Sequence, residues 1–119
     1  MKKKLLILGA GNAQIDLIEY AKGIGLEVYV CSYTNTDKGI PLADAFAQIN
    51  IVDTEKIESY VKENKIDIGI LCVPKNGAQE LADRLVACGI KGLWNFAPMD
   101  LNVPEDIIVE NVNLTESLF

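Results

Sequence analysis

Gly9-Ala10-Gly11-Asn12-Ala13-Gln14 is the stretch of this chain with the plainest chemical capacity. It follows the apolar run Leu5-Leu6-Ile7-Leu8 and precedes a helical pattern. Strand, tight turn and helix N-terminus in that order present free backbone N–H groups to an anion, and the helix dipole adds to their pull. The dinucleotide fingerprint G-x-G-x-x-G is met at Gly9 and Gly11, whereas its third position holds Gln14. Gly9, Gly11, Asn12 and Ala13 are therefore the candidate phosphate ligands. A turn of this kind can also serve only to close a strand–helix corner.

A dinucleotide site calls further for an acidic residue at the end of the second strand, where it holds the ribose hydroxyls. Cys31-Ser32-Tyr33 occupies that place, with no carboxylate before Asp37. Ser32 can donate or accept a hydrogen bond, but it cannot accept from both hydroxyls of the diol as a carboxylate does. Losing a charged contact of this kind costs roughly 1.5–3 kcal/mol, or one to two decades in affinity. Weak nucleotide binding at best is expected.

Other chemistry is sparse. The chain has no histidine, so it lacks an imidazole base, a Ser-His-Asp triad and a typical zinc site. Cys31, Cys72 and Cys88 are odd in number and lack C-x-x-C spacing; they read as buried thiols of a reducing compartment, the cytoplasm. Asp16 and Glu19 read as exposed rather than paired for acid–base work. Neither a catalytic nor a metal site is expected, and the chain is read as no enzyme.

The 119 residues suffice for one domain with a real core, and half of them are apolar. A net charge of −6 argues against a nucleic-acid-binding surface. Lys2, Lys3 and Lys4 form the one basic cluster and read as a solvated lead into the first strand. No apolar run is long enough to cross a membrane, and the run after the lysines is too short for a signal peptide.

Strand-like and helical patterns alternate along the chain. Ile15, Leu17, Ile18, Ala21 and Ile24 make one helical face, closed by Gly25. Strands are expected at 28–31, 47–52, 66–73, 92–96 and 107–110, with a helical turn at 42–45. Asp53-Thr54 caps a helix with inner face Ile57, Tyr60, Val61 and Asn64. Asn76 caps another, with Ala78, Leu81, Ala82 and Leu85 facing inward. This alternation predicts an α/β fold: a three-layer, doubly wound parallel sheet, Rossmann-like, in strand order 3-2-1-4-5 with a possible sixth edge strand. Its crevice lies where the order reverses, which brings Gly9–Gln14 opposite Val73–Asn76.

Residues 67–119 resemble the Rex family of redox-sensing transcriptional repressors. The resemblance rests on Ile70-Leu71-Cys72-Val73-Pro74, Ala78-Gln79-Glu80-Leu81-Ala82-Asp83 and Gly89-Ile90-Lys91-Gly92. It continues through Trp94-Asn95-Phe96-Ala97-Pro98, Leu101-Asn102-Val103-Pro104-Glu105-Asp106 and Val109-Glu110-Asn111-Val112-Asn113-Leu114. Residues 1–66 resemble instead the domain that precedes an ATP-grasp fold in carbamoyl-phosphate-synthetase-like ligases. There the matches are the glycine turn, Cys31-Ser32-Tyr33, Thr36-Asp37-Lys38-Gly39-Ile40-Pro41 and Leu42-Ala43-Asp44.

A seam near Lys65-Ile66-Asp67 is implied. The leading expectation is an engineered or recombined Rossmann-fold chimera, with no catalytic activity and at most weak NAD(H) or nucleotide binding. Such a recombinant would have no natural compartment. The alternative is a natural NAD(H)-sensing module of a Rex-type repressor without its winged-helix DNA-binding domain; a second is a fragment or subunit of a nucleotide-dependent enzyme. The Rex resemblance implies Val73 and Pro74 beside the cofactor, and Asn95, Phe96, Ala97 and Pro98 near the nicotinamide. It also implies no DNA binding, and an apolar surface around Trp94, Phe96 and Met99 left bare by a missing C-terminal helix, through which the chain self-associates.

Overall fold

The computed structural model describes residues 2–8, 12–36, 38–50, 53–71, 75–95 and 101–111, excepting the side chains of 12–14, 75, 76, 78 and 111. Short apolar runs become strands and the segments of helical spacing become helices. In order they are β1 (Lys4–Leu8), α1 (Asn12–Gly23), β2 (Glu27–Ser32), a 3-10 turn at Ile40–Leu42, β3 (Ala45–Gln48), α2 (Thr54–Asn64), β4 (Ile68–Leu71), α3 (Lys75–Ala87), β5 (Gly92–Asn95) and β6 (Ile108–Asn111). The strands form one sheet in the order β3-β2-β1-β4-β5-β6, and every pair is parallel. The sixth strand is the edge beyond β5, as the doubly wound reading allows.

Alternation along the strands divides the core in two. Leu5, Ile7, Val28, Val30 and Ile70 meet Leu17, Ile18 and Ala21 of α1. On the opposite face Leu6, Leu8, Tyr29, Cys31, Leu71 and Leu93 meet Ile57 and Val61 of α2 and Leu81, Ala82 and Leu85 of α3. Burying a Leu, Ile or Val side chain is worth about 1.5–3 kcal/mol, so both faces contribute strongly. Carboxylates extend the ladder at the amino end of the sheet. Asp67 accepts the Lys4 N–H at 2.8 Å, and Asp44 accepts the Val28 N–H at 2.8 Å.

Each helix has a definite start or stop. Past α1, the Gly25 N–H donates to Lys22 O at 3.1 Å and the Leu26 N–H to Ala21 O at 3.0 Å. This closure needs the positive φ of 91° at Gly25. The Asp53 carboxylate accepts the Lys56 N–H and caps α2.

Five local expectations are corrected. The third strand begins at Ala45 rather than at 47, because Asp44 already donates its N–H to Val28 O and so starts the pairing. That leaves a 3-10 turn at Ile40–Leu42 in place of a helical turn at 42–45. Asn76 lies within α3 rather than capping it. The fourth strand begins at Ile68, since the Asp67 carboxylate is drawn to the Lys4 N–H. Ile24, expected on the inner face of α1, follows the helix end and is 54% exposed.

Candidate functional site at the carboxyl edge of the sheet

β1 pairs with β2 on one side and β4 on the other. The helix after β1 covers one face of the sheet, and the helix after β4 covers the other. The order of the sheet therefore reverses between β1 and β4, and open α/β sheets bind ligands at the carboxyl ends of such a strand pair. Both α1 and α3 begin at this edge, so the positive ends of their dipoles are directed to it.

Asn12 and Ala13 open α1, as the strand–turn–helix reading requires. Gly9 and Gly11 lie outside the described residues, as do Val73, Pro74, Phe96, Ala97 and Pro98. Ser32 and Asn95 are the candidates whose side chains are described. Each is the last residue of its strand, they are 4% and 2% exposed, and neither lacks a partner. Cys31 belongs to the α2/α3 side of the core, so strand alternation turns Ser32 toward the α1 side. Trp94 approaches Tyr20 of α1 with ring centroids 6.2 Å apart, so Asn95 turns the other way. β1 and β4 stand between their strands. Three strand spacings separate the two residues by about 14 Å, room for a dinucleotide lying across the switch point.

Cys31, next to Ser32, is held neutral. Burial pushes the Cys31 thiol up to about 12, which suits a core residue and not a nucleophile. Tyr60 is raised to about 12, first by burial and then by Cys31. Tyr29, nearer the amino end, is raised to about 12 by its hydrogen bond to Glu27 and by burial. Cys88 is raised by burial, and Asp16 and Glu19 are exposed. Among the described residues no group of histidine, cysteine, aspartate and glutamate is arranged to hold a metal ion. Nor is any helix long and apolar enough to cross a membrane.

One contact beside this edge escapes sequence reasoning. The Gln79 side-chain amide of α3 donates to Asn102 O at 2.8 Å and accepts the Asn102 N–H at 2.7 Å. It also donates to Asp83 Oδ1 at 2.8 Å. Gln79 and Asn102 are 23 residues apart, so no local pattern reveals the pair.

A parallel 3-2-1-4-5-6 sheet with helices beginning at its switch point defines a Rossmann-like domain. The chain belongs to the CoA-binding domain family, whose profile matches residues 1–99. It is 45% identical over 116 residues to the redox-sensing transcriptional repressor Rex of Clostridioides difficile (strain 630), an alignment covering 96% of this chain and 54% of that protein. RSP, a Rex-family repressor, has been solved with β-NADH; that structure is 40% identical with a TM-score of 0.75, over 98% of this chain and 56% of that one. RSP with β-NAD+ and operator DNA is 39% identical with a TM-score of 0.74, over 98% and 54%. The chain thus spans about half the length of the curated relatives it matches. These alignments run through both halves of the chain. The expected seam near Lys65–Asp67, the chimera and the ATP-grasp parent for residues 1–66 find no support in them.

Proposed function

We propose that this chain is the NAD(H)-sensing module of a Rex-type repressor. The observation that carries this reading is 40% identity, over 98% of the chain, to RSP solved with β-NADH. The switch-point geometry fits it. In this reading the pyrophosphate lies on the backbone N–H groups of Gly9, Gly11, Asn12 and Ala13, at the N-terminus of α1. Val73 and Pro74 flank the dinucleotide, and Asn95, Phe96, Ala97 and Pro98 form the nicotinamide end, with Asn95 supporting that segment from its buried position. Ser32 stands where a carboxylate would grip the adenine ribose, so the affinity is weak for a dinucleotide site. The module senses and does not catalyse. DNA contact in such a repressor falls to its winged helix, not to this acidic domain.

Trp94 adjoins Asn95 and reports on the site. Titration with NADH should quench its emission saturably, and NAD+ should bind distinctly less tightly, because equal affinities would shift no equilibrium between two states. Absence of saturation up to millimolar NADH would overturn the reading.

The same reading includes self-association through the α1 face of the sheet. Tyr20, which meets Trp94, and Ile108 are 56% and 70% exposed, apolar side chains of the kind that pair with a second copy.

A further inference from the structure

We infer that the adenine-ribose end of the site admits a 2′-phosphate, so that the module takes NADP(H) at least as readily as NAD(H), with Ser32 as the specificity-determining residue. This inference rests on the NAD(H) reading above and concerns the described residues that close β2. Open sheets of this kind set the adenine ribose against the carboxyl end of the second strand. A carboxylate at that place does two things at once. It accepts from the ribose hydroxyls, and it repels a phosphate esterified at the 2′ position. Ser32 holds the place as the last residue of β2 and does neither. It is 4% exposed, so what it contributes to the ribose end is above all the absence of a negative charge.

The segment that leaves β2 is polar, and residues 33–36 carry no charge. Tyr33 is 68% exposed, and Asn35 and Thr36 are exposed as well. Thr36 Oγ1 donates to Thr34 Oγ1 at 3.4 Å, which sets two hydroxyls side by side within four residues of Ser32. Gln48 pairs with Ser32 in the register, and its amide donates to Tyr33 O at 3.2 Å, so the start of the segment is tied to β3. Hydroxyl and amide groups of this kind donate to phosphate oxygens. Lys38, also exposed, is the cation nearest to Ser32 in the sequence. The described carboxylates around β2 are committed elsewhere. Glu27 accepts from Tyr29 Oη and Asp44 from the Val28 N–H, both toward the amino end of the strand. Asp53, beyond β3, accepts the Lys56 N–H and lies 3.7 Å from Lys56 Nζ. The first carboxylate after Ser32 is Asp37, outside the described residues.

The test is titration of the 119-residue chain with NADH and with NADPH, read by Trp94 emission, with thermal unfolding followed alongside. NADPH should bind more tightly than NADH or within about threefold of it, whereas a carboxylate at the ribose would separate them by roughly a hundredfold. Ser32→Asp should tighten NADH by roughly tenfold and weaken NADPH by roughly a hundredfold. Because Ser32 is buried, Tyr33→Asp supplies the same charge from an exposed position. It should weaken NADPH relative to NADH by roughly five- to tenfold, with Tm nearly unchanged. A parent that binds NADPH more than threefold more weakly than NADH would overturn the inference and leave the NAD(H) reading standing. So would an NADPH-to-NADH ratio that neither variant changes. Saturation by NADPH alone would overturn the NAD(H) reading but not the 2′-phosphate site, and saturation by neither would overturn both.

Discussion

Gly69 lacks a side chain where Leu85 of α3 and Ile90 pack on β4. A Cβ at this position would stand 3.2 Å from Leu85 Cδ1 and 3.3 Å from Ile90 Cδ1. Both are ends of flexible side chains, but both are fully buried. Gly69→Ala should therefore cost about 1 kcal/mol in urea unfolding and Gly69→Val about 3 kcal/mol, since overpacking a filled core forces its neighbours off their rotamers. The buried hydroxyl and thiol groups set a second expectation. Unfolded cysteine begins to ionise near its ordinary value of 9.0, whereas folded Cys31 keeps its proton to about 12. Above that ordinary value the unfolded state releases a proton that the native state retains, so stability falls as pH rises. Tyr29 and Tyr60, raised from 10.0 to about 12, act in the same direction at slightly higher pH. Thermal scans should give a level Tm from roughly pH 7 to 8.5 and a progressive fall between about 9 and 12. Cys31→Val should remove the earliest part of that fall.

Among the elements, α2 is the one that closes imperfectly. Gly25 and Gly89 supply positive φ after α1 and α3, but Lys65 does so after α2, at φ 54°. A side chain is strained in the left-handed region, so Lys65→Gly should stabilise the protein by about 0.5–1 kcal/mol, measured as a higher urea midpoint at an unchanged slope. The same elements show what could be read without coordinates. Strand order was legible because βα units can be wound in few ways, and Gly25 and Asp53 punctuated helices through purely local chemistry. β3 was misplaced because the apolar residues Ile49, Ile51 and Val52 outweighed Asp44, whose part in the pairing depends on Val28. The succession of β1 and α1 was legible for a similar reason: the apolar run and the helical pattern lie close together in the sequence. The contact between Gln79 and Asn102 was not, because its partners lie 23 residues apart. The two-parent reading arose from short matches within one half at a time, whereas a single set of relatives spans both.

At the scale of the whole molecule, the helices among the described residues are divided unequally between the two faces of the sheet. α1 covers the sheet near β1 and β2, while α2, α3 and the residues around Leu101, Val103 and Ile107 all lie on the opposite side. Over β4, β5 and β6 the α1 side therefore presents Ile68, Trp94 and Ile108 without a helix of its own among the described residues. Gly92 sits between Ile68 and Ile108 in the register and contributes no side chain that would shield them. Tyr20 borders this area against Trp94. Apolar area left in water favours a partner, and a patch that meets itself across a two-fold axis gives a closed dimer rather than an open chain. Sedimentation velocity across a concentration series should show the chain passing from monomer to dimer. Ile108→Lys and Tyr20→Glu should each shift the transition to higher concentration, because either places a charge on the surface to be dried. Trp94 should report the same equilibrium, its emission moving to longer wavelength on dilution as the ring meets water. A chain that stays monomeric at the highest concentrations, with Trp94 emission independent of dilution, would show that this face is not used between copies.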